Sequence, residues 1–188
     1  MKKLLLLIFT FSLVACSSGD DDNNNSSNNS SQSNVLSVGG TDYQIEDGAL
    51  VDFGLWGASD AVNIDLSLIS FEYDIDCFNE EDESSIPDDG QTIYFEMWTS
   101  QQGYLDSGTY EIVGLNDDDY YSPFHISVSE YSLDHNNETS YDDILSGTVN
   151  VERSGNSYTI SWDTIDENGN VVAGSFIGTL QYCDVSND

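Results

Sequence analysis

Basic residues are almost absent from this chain. Only 3 Lys or Arg stand against 35 Asp or Glu among 188 residues, and the formal net charge is −32. Proteins hold nucleic-acid phosphates and anionic lipid headgroups mainly through Lys and Arg, which this surface cannot supply. The composition therefore excludes DNA and RNA as partners, and it excludes electrostatic docking on an anionic lipid surface.

Metal-binding and nucleophilic residue types are also scarce. The chain has 3 cysteines and 2 histidines, His125 and His135. A zinc centre needs three or four such ligands close together, and the serines are not accompanied by a Gly-x-Ser-x-Gly nucleophile elbow. We therefore predict no zinc centre and no catalytic residues, and we expect a protein that is not an enzyme.

No apolar run is long enough to span a bilayer. The apolar stretch after Lys2-Lys3 runs from Leu4 to Phe11, well short of the roughly 20 residues that a spanning helix needs. A basic start, a short apolar segment and small residues form a cleavable secretory signal. This segment ends in Leu13-Val14-Ala15-Cys16, which resembles the lipobox of bacterial lipoproteins. The resemblance implies a signal peptide over residues 1–15 and acyl chains on Cys16.

The residues after Cys16 are polar and acidic, beginning Ser17-Ser18-Gly19-Asp20-Asp21-Asp22. They are similar to the export signal of surface lipoproteins in Bacteroidota, which implies a lipid-anchored protein of the outer membrane, exposed at the cell surface. Residues 16–34 contain almost only Ser, Asn, Asp, Gly and Gln. Because such a segment cannot bury enough apolar surface to fold, we predict a disordered tether. Residues 35–188 are expected to form a single domain.

The rest of the chain is predicted to consist of short strands between Gly, Asn, Asp and Ser residues, without helical periodicity. Alternation of apolar and polar residues is clear in Val62–Leu68 and in Thr92–Thr99. Tight turns are predicted at Gly155-Asn156 and at Asn168-Gly169. About eight or nine strands result. We expect an all-β fold, an antiparallel β-sandwich or jelly roll, with a lipocalin-like barrel as the alternative.

Two cysteines remain after the lipidation of Cys16. Cys77 and Cys183 each end a strand-like run, and outside the cytoplasm such a pair is a candidate disulfide. The bridge would close a long loop and stabilise the domain by up to about 4.7 kcal/mol in the chain-entropy model. The alternative is a pair of buried thiols.

Acidic residues cluster between predicted strands, most compactly at Asp117, Asp118 and Asp119. Calcium binds about 6 to 8 oxygen ligands, which carboxylates and backbone carbonyls in a loop can supply. Ca²⁺ is therefore the cofactor that the sequence suggests, with these three residues as its candidate ligands. The alternative is a loop of solvated carboxylates that repel one another.

Aromatic residues are plentiful, with 11 Tyr, 8 Phe and 3 Trp. In the strand Ile93–Trp98 one parity is apolar, and the other parity carries Tyr94, Glu96 and Trp98. Rings with a polar group, placed beside a carboxylate, can stack on sugars and hydrogen-bond their hydroxyls. The predicted ligand-binding residues are Tyr94, Glu96 and Trp98, joined by Tyr120, Tyr121 and Trp56 from loops. The alternative is that both faces of this strand are covered by protein.

These observations predict a non-catalytic surface lipoprotein that binds an extracellular glycan or another ligand and is held on the membrane by its N-terminal lipid. A structural or adhesion protein of the outer membrane surface, with another protein as its partner, is the alternative. A polysaccharide hydrolase that uses two carboxylates is the third hypothesis. With 35 acidic residues in the chain, the sequence cannot single out such a pair.

Overall fold

The computed structural model describes residues 33–56, 60–72, 90–114, 117–134 and 140–186. These residues belong to one compact unit, Ser31–Asp188. The signal peptide, Cys16, most of the tether, Cys77 and His135 lie outside the described residues. The functions assigned to them from the sequence therefore stay predictions.

The described residues form eleven β-strands and contain no α-helix. In chain order the strands are β1 Val35–Val38, β2 Thr41–Gln44, β3 Asp47–Leu55, β4 Val62–Ile69, β5 Thr92–Thr99, β6 Gly108–Ile112, β7 His125–Ser132, β8 Tyr141–Ser154, β9 Ser157–Asp166, β10 Val171–Thr179 and β11 Gln181–Asp184. This confirms the predicted all-β class. The described residues contain no helix that could cross a membrane.

All eleven strands lie in one mixed sheet, in the order β11-β3-β4-β5-β7-β6-β8-β9-β10-β1-β2. β11 pairs with β3 in parallel, and β6 pairs with β7 in parallel. The structure therefore differs from the predicted antiparallel sandwich or jelly roll of eight or nine strands. Two strands account for the larger number. β1 is only four residues long, and Leu180 divides the apolar alternation of residues 171–182 into two strands, β10 and β11.

The sheet is strongly curled, because short links join strands near its opposite ends. β2 is the last strand of the order, yet β3, near the other end, begins at Asp47, three residues after Gln44. Three Cα–Cα steps span at most about 11 Å. The rings of Phe95 on β5 and Trp162 on β9 also approach to 6.3 Å between centroids, although at least three strand spacings of about 4.8 Å separate these strands along the sheet. The sheet therefore forms a half-barrel around its core.

The core is formed by alternate residues of the central strands. On β4 and β5 the inward residues are fully buried and apolar: Ile64, Leu66, Leu68, Ile93, Phe95 and Met97. Because successive side chains of a strand point to opposite faces, the residues between them lie on the outer face. These are Asn63, Asp65, Tyr94 and Glu96, and they form the floor of the cleft described below.

The hairpins of the C-terminal half have the predicted turns. Gly155-Asn156 joins β8 to β9, and Gly169, with φ of 82°, lies in the turn between β9 and β10. Gly174 pairs with Trp162 across β9 and β10. A Cβ atom at position 174 would lie 2.1 Å from the carbonyl oxygen of Val35 and 2.3 Å from the Trp162 ring. Glycine is therefore required there to make room for the tryptophan.

Cys183 on β11 is buried and disulfide-bonded. Its partner lies outside the described residues, so the pairing with Cys77 stays a prediction. The neighbouring Tyr182 donates a hydrogen bond of 2.9 Å from its hydroxyl to Oδ2 of Asp52 on β3. β11 is thus attached to β3 both by strand pairing and by this side-chain contact.

Candidate functional site

An open cleft of about 400 Å³ lies on the outer face of β4 and β5. The end of β3, the strands β4 and β5, and the loop before β7 contribute its lining residues: Phe53, Trp56, Asn63, Asp65, Tyr94, Glu96, Tyr120 and Tyr121. Five of these eight side chains are aromatic and two are carboxylic acids. The volume and the mixture of apolar walls with a few polar groups are typical of small-molecule binding sites.

The structure brings together four of the five residues predicted to bind a ligand: Tyr94, Glu96, Tyr120 and Tyr121 all line this cleft. The fifth, Trp98, is only 1% exposed and lies beneath the cleft instead of lining it. Trp56, considered from the sequence as a loop residue, is also part of the lining. The sequence did not indicate Phe53, Asn63 or Asp65, because their position depends on how β3, β4 and β5 pair.

Two carboxylates lie side by side in the floor of the cleft. Asp65 on β4 is directly opposite Glu96 on β5 in the antiparallel register, a position in which Cβ atoms are about 4.5–5.5 Å apart. The Tyr94 hydroxyl donates a hydrogen bond of 2.6 Å to Oδ2 of Asp65, and Nδ2 of Asn63 donates one of 3.3 Å to Oε1 of Glu96. The other oxygen of Asp65, Oδ1, is buried and has no hydrogen-bond partner among the described residues.

This arrangement makes the two acids harder to ionise. Burial, and secondarily the charge of Glu96, raises the pKa of Asp65 to about 6, although the hydrogen bond from Tyr94 opposes the rise. Burial also raises the pKa of Glu96, against the effect of hydrogen bonds from Ser127 and Asn63. Like charges placed opposite each other on neighbouring strands are destabilising. The pair therefore costs stability wherever both carboxylates are charged.

The ring of Tyr121 is held in place by two other aromatic rings. Trp98 meets it edge-on at 5.0 Å between centroids and 80° between planes, and Tyr120 meets it at 4.8 Å and 90°. Nε1 of Trp98 in turn donates a hydrogen bond of 2.7 Å to Oγ of Ser127. Perpendicular ring pairs of this kind are favourable. Tyr121 is thus 48% exposed to solvent, while its ring packs against the buried rings of Trp98 and Tyr120.

The loop that carries Tyr120 and Tyr121 is hydrogen-bonded to the end of β5. The backbone N–H of Phe124 donates a hydrogen bond of 2.7 Å to the carbonyl oxygen of Trp98. Phe124 adopts a φ of 67°, a conformation that is strained for a bulky residue and that persists only where the surrounding structure enforces it. His125 lies 3.2 Å, through Nδ1, from the carbonyl oxygen of Ser122 and does not line the cleft.

The acidic run before Tyr120 forms a turn. The Asp117 carboxylate accepts a hydrogen bond of 3.0 Å from the backbone N–H of Asp119, and the side chains of Asp117, Asp118 and Asp119 are exposed. Among the residues that the structure describes, no group of three or more His, Cys, Asp or Glu side chains is arranged to hold a metal ion. The three aspartates therefore do not converge as calcium ligands, and calcium binding stays a prediction.

Two further cavities border the same half-barrel. One, of about 270 Å³ between β7 and β8, shares Tyr120 with the cleft. The other, of about 340 Å³, is lined by Arg153, the one basic residue in the described part of the chain. Its guanidinium lies 4.0 Å from the centre of the Tyr104 ring. Arg153 is not part of the cleft lining, so it does not neutralise Asp65 and Glu96 from within the cleft.

The fold and the cleft define an all-β domain, built on a single curled mixed sheet, with an aromatic cleft whose floor carries two carboxylates. Comparison of the chain with protein-family models, with curated proteins and with solved structures finds no match. Because many functions can occur on one fold, the function has to be inferred from the chemistry of the cleft.

Replacing Asp65 with asparagine is expected to stabilise the domain above about pH 7 and to leave it nearly unchanged near pH 4. The pKa of Asp65 is about 6 in the folded state against an ordinary value of 3.8. The unfolded state therefore loses its proton first, and the free energy of unfolding falls as the pH rises between these values. Asparagine still accepts from Tyr94 but carries no charge, and its gain has an upper limit of about 3 kcal/mol.

Thermal unfolding of both proteins near pH 4 and pH 8 measures this effect. Asp163→Asn on β9 is the matched control, because it removes one charge at an exposed position. An equal gain in stability for the two variants at pH 8, or no gain in Asp65→Asn, would show that the charged Asp65 carboxylate does not destabilise the folded domain.

Proposed function

We propose that the mature chain is a non-catalytic lipoprotein of the outer membrane surface, anchored through Cys16, that binds an extracellular glycan in the aromatic cleft. The observation that carries this proposal is the combination of exposed aromatic rings with hydrogen-bonding groups held in fixed positions. The lipobox and the acidic segment after it support the location. The cleft supports the ligand class, because sugar rings have apolar C–H faces and hydroxyl edges that match these two kinds of group.

The aromatic walls are unusually accessible for large side chains. Trp56 is 57% exposed, Tyr121 48% and Phe53 42%. Exposed apolar side chains that adjoin one another mark interaction sites more often than scattered ones do. A sugar ring stacked on these walls would remove them from water, and the rings lose little conformational freedom because each has only two side-chain torsions.

The polar groups of the floor support orientation of the ligand. Asn63 is 7% exposed and its amide is bonded to Glu96, while Tyr94 is bonded to Asp65. Side chains held by such bonds keep their position before a ligand arrives, which lowers the entropy cost of binding. Ligand hydroxyls would donate to the remaining lone pairs of the carboxylates.

A binding screen tests this proposal. The mature chain, with Cys16 replaced by serine so that it stays soluble, is titrated with neutral, acidic and amine-bearing polysaccharides, in parallel with Ca²⁺ and with a chelator. Saturable binding to one class of glycan supports the proposal, and loss of binding in chelator would assign a calcium ion to the site. Absence of binding in both conditions would overturn it and favour the structural or adhesion protein.

Hydrolysis of a glycan is a second candidate function, and one specific observation favours it. Retaining glycosidases place two carboxyl groups about 5–5.5 Å apart and keep one of them protonated. Asp65 and Glu96 are direct cross-strand neighbours, and burial raises the pKa of Asp65 to about 6, so the cleft holds two adjacent carboxyl groups of which one gains a proton more readily than a free aspartate does. Release of reducing ends from a bound glycan, abolished in Glu96→Gln, would establish hydrolysis. A bound glycan that stays intact over days would support the non-catalytic protein.

A further inference from the structure

We propose that Asp65 and Glu96 form a subsite for a protonated amino group, so that the cleft prefers glycans with free amines to neutral or acidic glycans. This inference rests on the proposed glycan-binding function and specifies the chemical class of the ligand. It also identifies the residues that would distinguish an amino sugar from its uncharged counterpart.

The first observation is that the acid pair lacks a countercharge. Asp65 and Glu96 are direct cross-strand neighbours, and none of the described residues that line the cleft is basic. Arg153 lines a different cavity. Lys2 and Lys3 belong to the predicted signal peptide, which is removed from the mature chain. An ammonium group would supply up to three N–H donors and a positive charge, and hydrogen bonds between charged groups are the stronger ones.

The second observation concerns the polar atoms that the protein leaves without partners. Oδ1 of Asp65 is buried and makes no hydrogen bond to any described residue, so the charge of this carboxylate is only partly compensated by the protein. Tyr94 donates a hydrogen bond to Asp65, and Asn63 and Ser127 donate hydrogen bonds to Glu96. A neutral ligand hydroxyl would add one more donor without adding charge. Only a cationic group would also lower the repulsion between the two carboxylates, which face each other in a partly buried site.

The third observation is the nature of the cleft walls. Trp56, Tyr121 and Phe53 are exposed beside the carboxylates, and the electron-rich faces of aromatic rings attract cations. The remaining ionisable groups near the pair are themselves acidic or neutral: Glu130 is paired across the strands with Tyr94, and Tyr120 borders the cleft. None of the described residues that line the cleft is therefore a cation that would compete with a bound ammonium for the two acids.

The net charge of the whole chain acts in the same direction. At −32, the protein attracts cationic ligands over a long range and repels sulfated or carboxylated ones. This general attraction would not depend on particular residues, whereas the proposed subsite would. The experiment must therefore distinguish the loss of charge in the cleft from the loss of charge elsewhere.

The test compares two sugars that differ only in whether their nitrogen atoms are free amines or N-acetylated. The mature soluble chain is titrated calorimetrically with a tetramer of β-linked glucosamine and with its fully N-acetylated counterpart, at about 150 mM salt to screen long-range attraction. We expect the amine form to bind at least tenfold more tightly. In Asp65→Asn/Glu96→Gln this preference should fall close to onefold, while binding of the acetylated sugar persists. Glu96→Gln alone should reduce the preference in part.

Glu152→Gln/Asp163→Asn is the matched control, because it removes the same two charges from exposed positions on β8 and β9. It should keep the preference. Equal affinities of the two sugars for the unmodified protein, or tighter binding of the acetylated sugar, would overturn the amine subsite and leave glycan binding intact. An equal loss of preference in both double variants would overturn it in favour of general charge attraction. Failure of both sugars to bind would overturn the subsite, and the screen described above then decides the wider function.

Discussion

Replacing Trp98 with alanine is expected to lower the free energy of unfolding by about 3 to 5 kcal/mol and the melting temperature by about 10 °C. The indole is only 1% exposed. Its Nε1 donates to Ser127, and its edge supports Tyr121. The substitution would leave a cavity, and it would also leave Ser127 without that hydrogen bond. Thermal and chemical denaturation of the purified domain measure both quantities.

Trp56→Ala is the control for this substitution, since it removes the same side chain from a position that is 57% exposed. Its melting temperature should stay within about 2 °C of the unmodified protein, because exposed substitutions change stability by about 0.5 kcal/mol or less. If Trp98→Ala unfolded at nearly the same temperature as Trp56→Ala, the assignment of Trp98 to the interior would be wrong. Trp98 would then become a candidate for direct ligand contact.

Replacing Trp56 and Tyr121 together with alanine is expected to weaken glycan binding by at least about 100-fold, while the domain stays folded. Aromatic residues at the centre of a binding site commonly account for 2 kcal/mol or more each. These two rings are the most exposed of the cleft walls, so their removal takes away most of the stacking surface. Titration with the glycan that the screen identifies gives the change in affinity, and circular dichroism checks the fold.

Val171→Ala/Ile177→Ala provides the comparison for this experiment. Both residues lie on β10, are 51% exposed and do not line the cleft. This variant should bind the glycan as the unmodified protein does. Retention of binding within about threefold in Trp56→Ala/Tyr121→Ala, or an equal loss in the β10 variant, would place the binding surface elsewhere on the molecule.

Much of the secondary structure follows from local signals in the sequence. β5 begins and ends where the alternation predicted, at Thr92 and Thr99, and the turn at Gly155-Asn156 was also predicted. Such features depend on the alternation of apolar residues and on the backbone freedom of glycine and asparagine, which act within a few residues. The all-β class required no more than these signals.

The arrangement of the strands depends on contacts that are distant in sequence. β11 pairs with β3 although about 130 residues separate Gln181 from Ala49, its register partner. The break between β10 and β11 makes this pairing possible. It lies at Leu180, between Thr179 and Gln181, where no Gly or Pro indicates the end of a strand. The apolar alternation of a strand shows which face is buried, but it does not show which strand lies beside it. The same pattern of apolar alternation is therefore compatible with one curled sheet and with two packed sheets.

The candidate site shows the same division. The sequence alone determined that the chain is acidic and all-β, and that Tyr94 and Glu96 share the outer face of their strand. Only the tertiary structure decided that Trp98, on the same parity, is covered by Tyr121, and that Asp65 lies opposite Glu96. The reason is physical: side-chain direction along a strand is set by the local backbone, whereas the burial of one residue and the charge beside another are set by segments that fold against them from elsewhere in the chain.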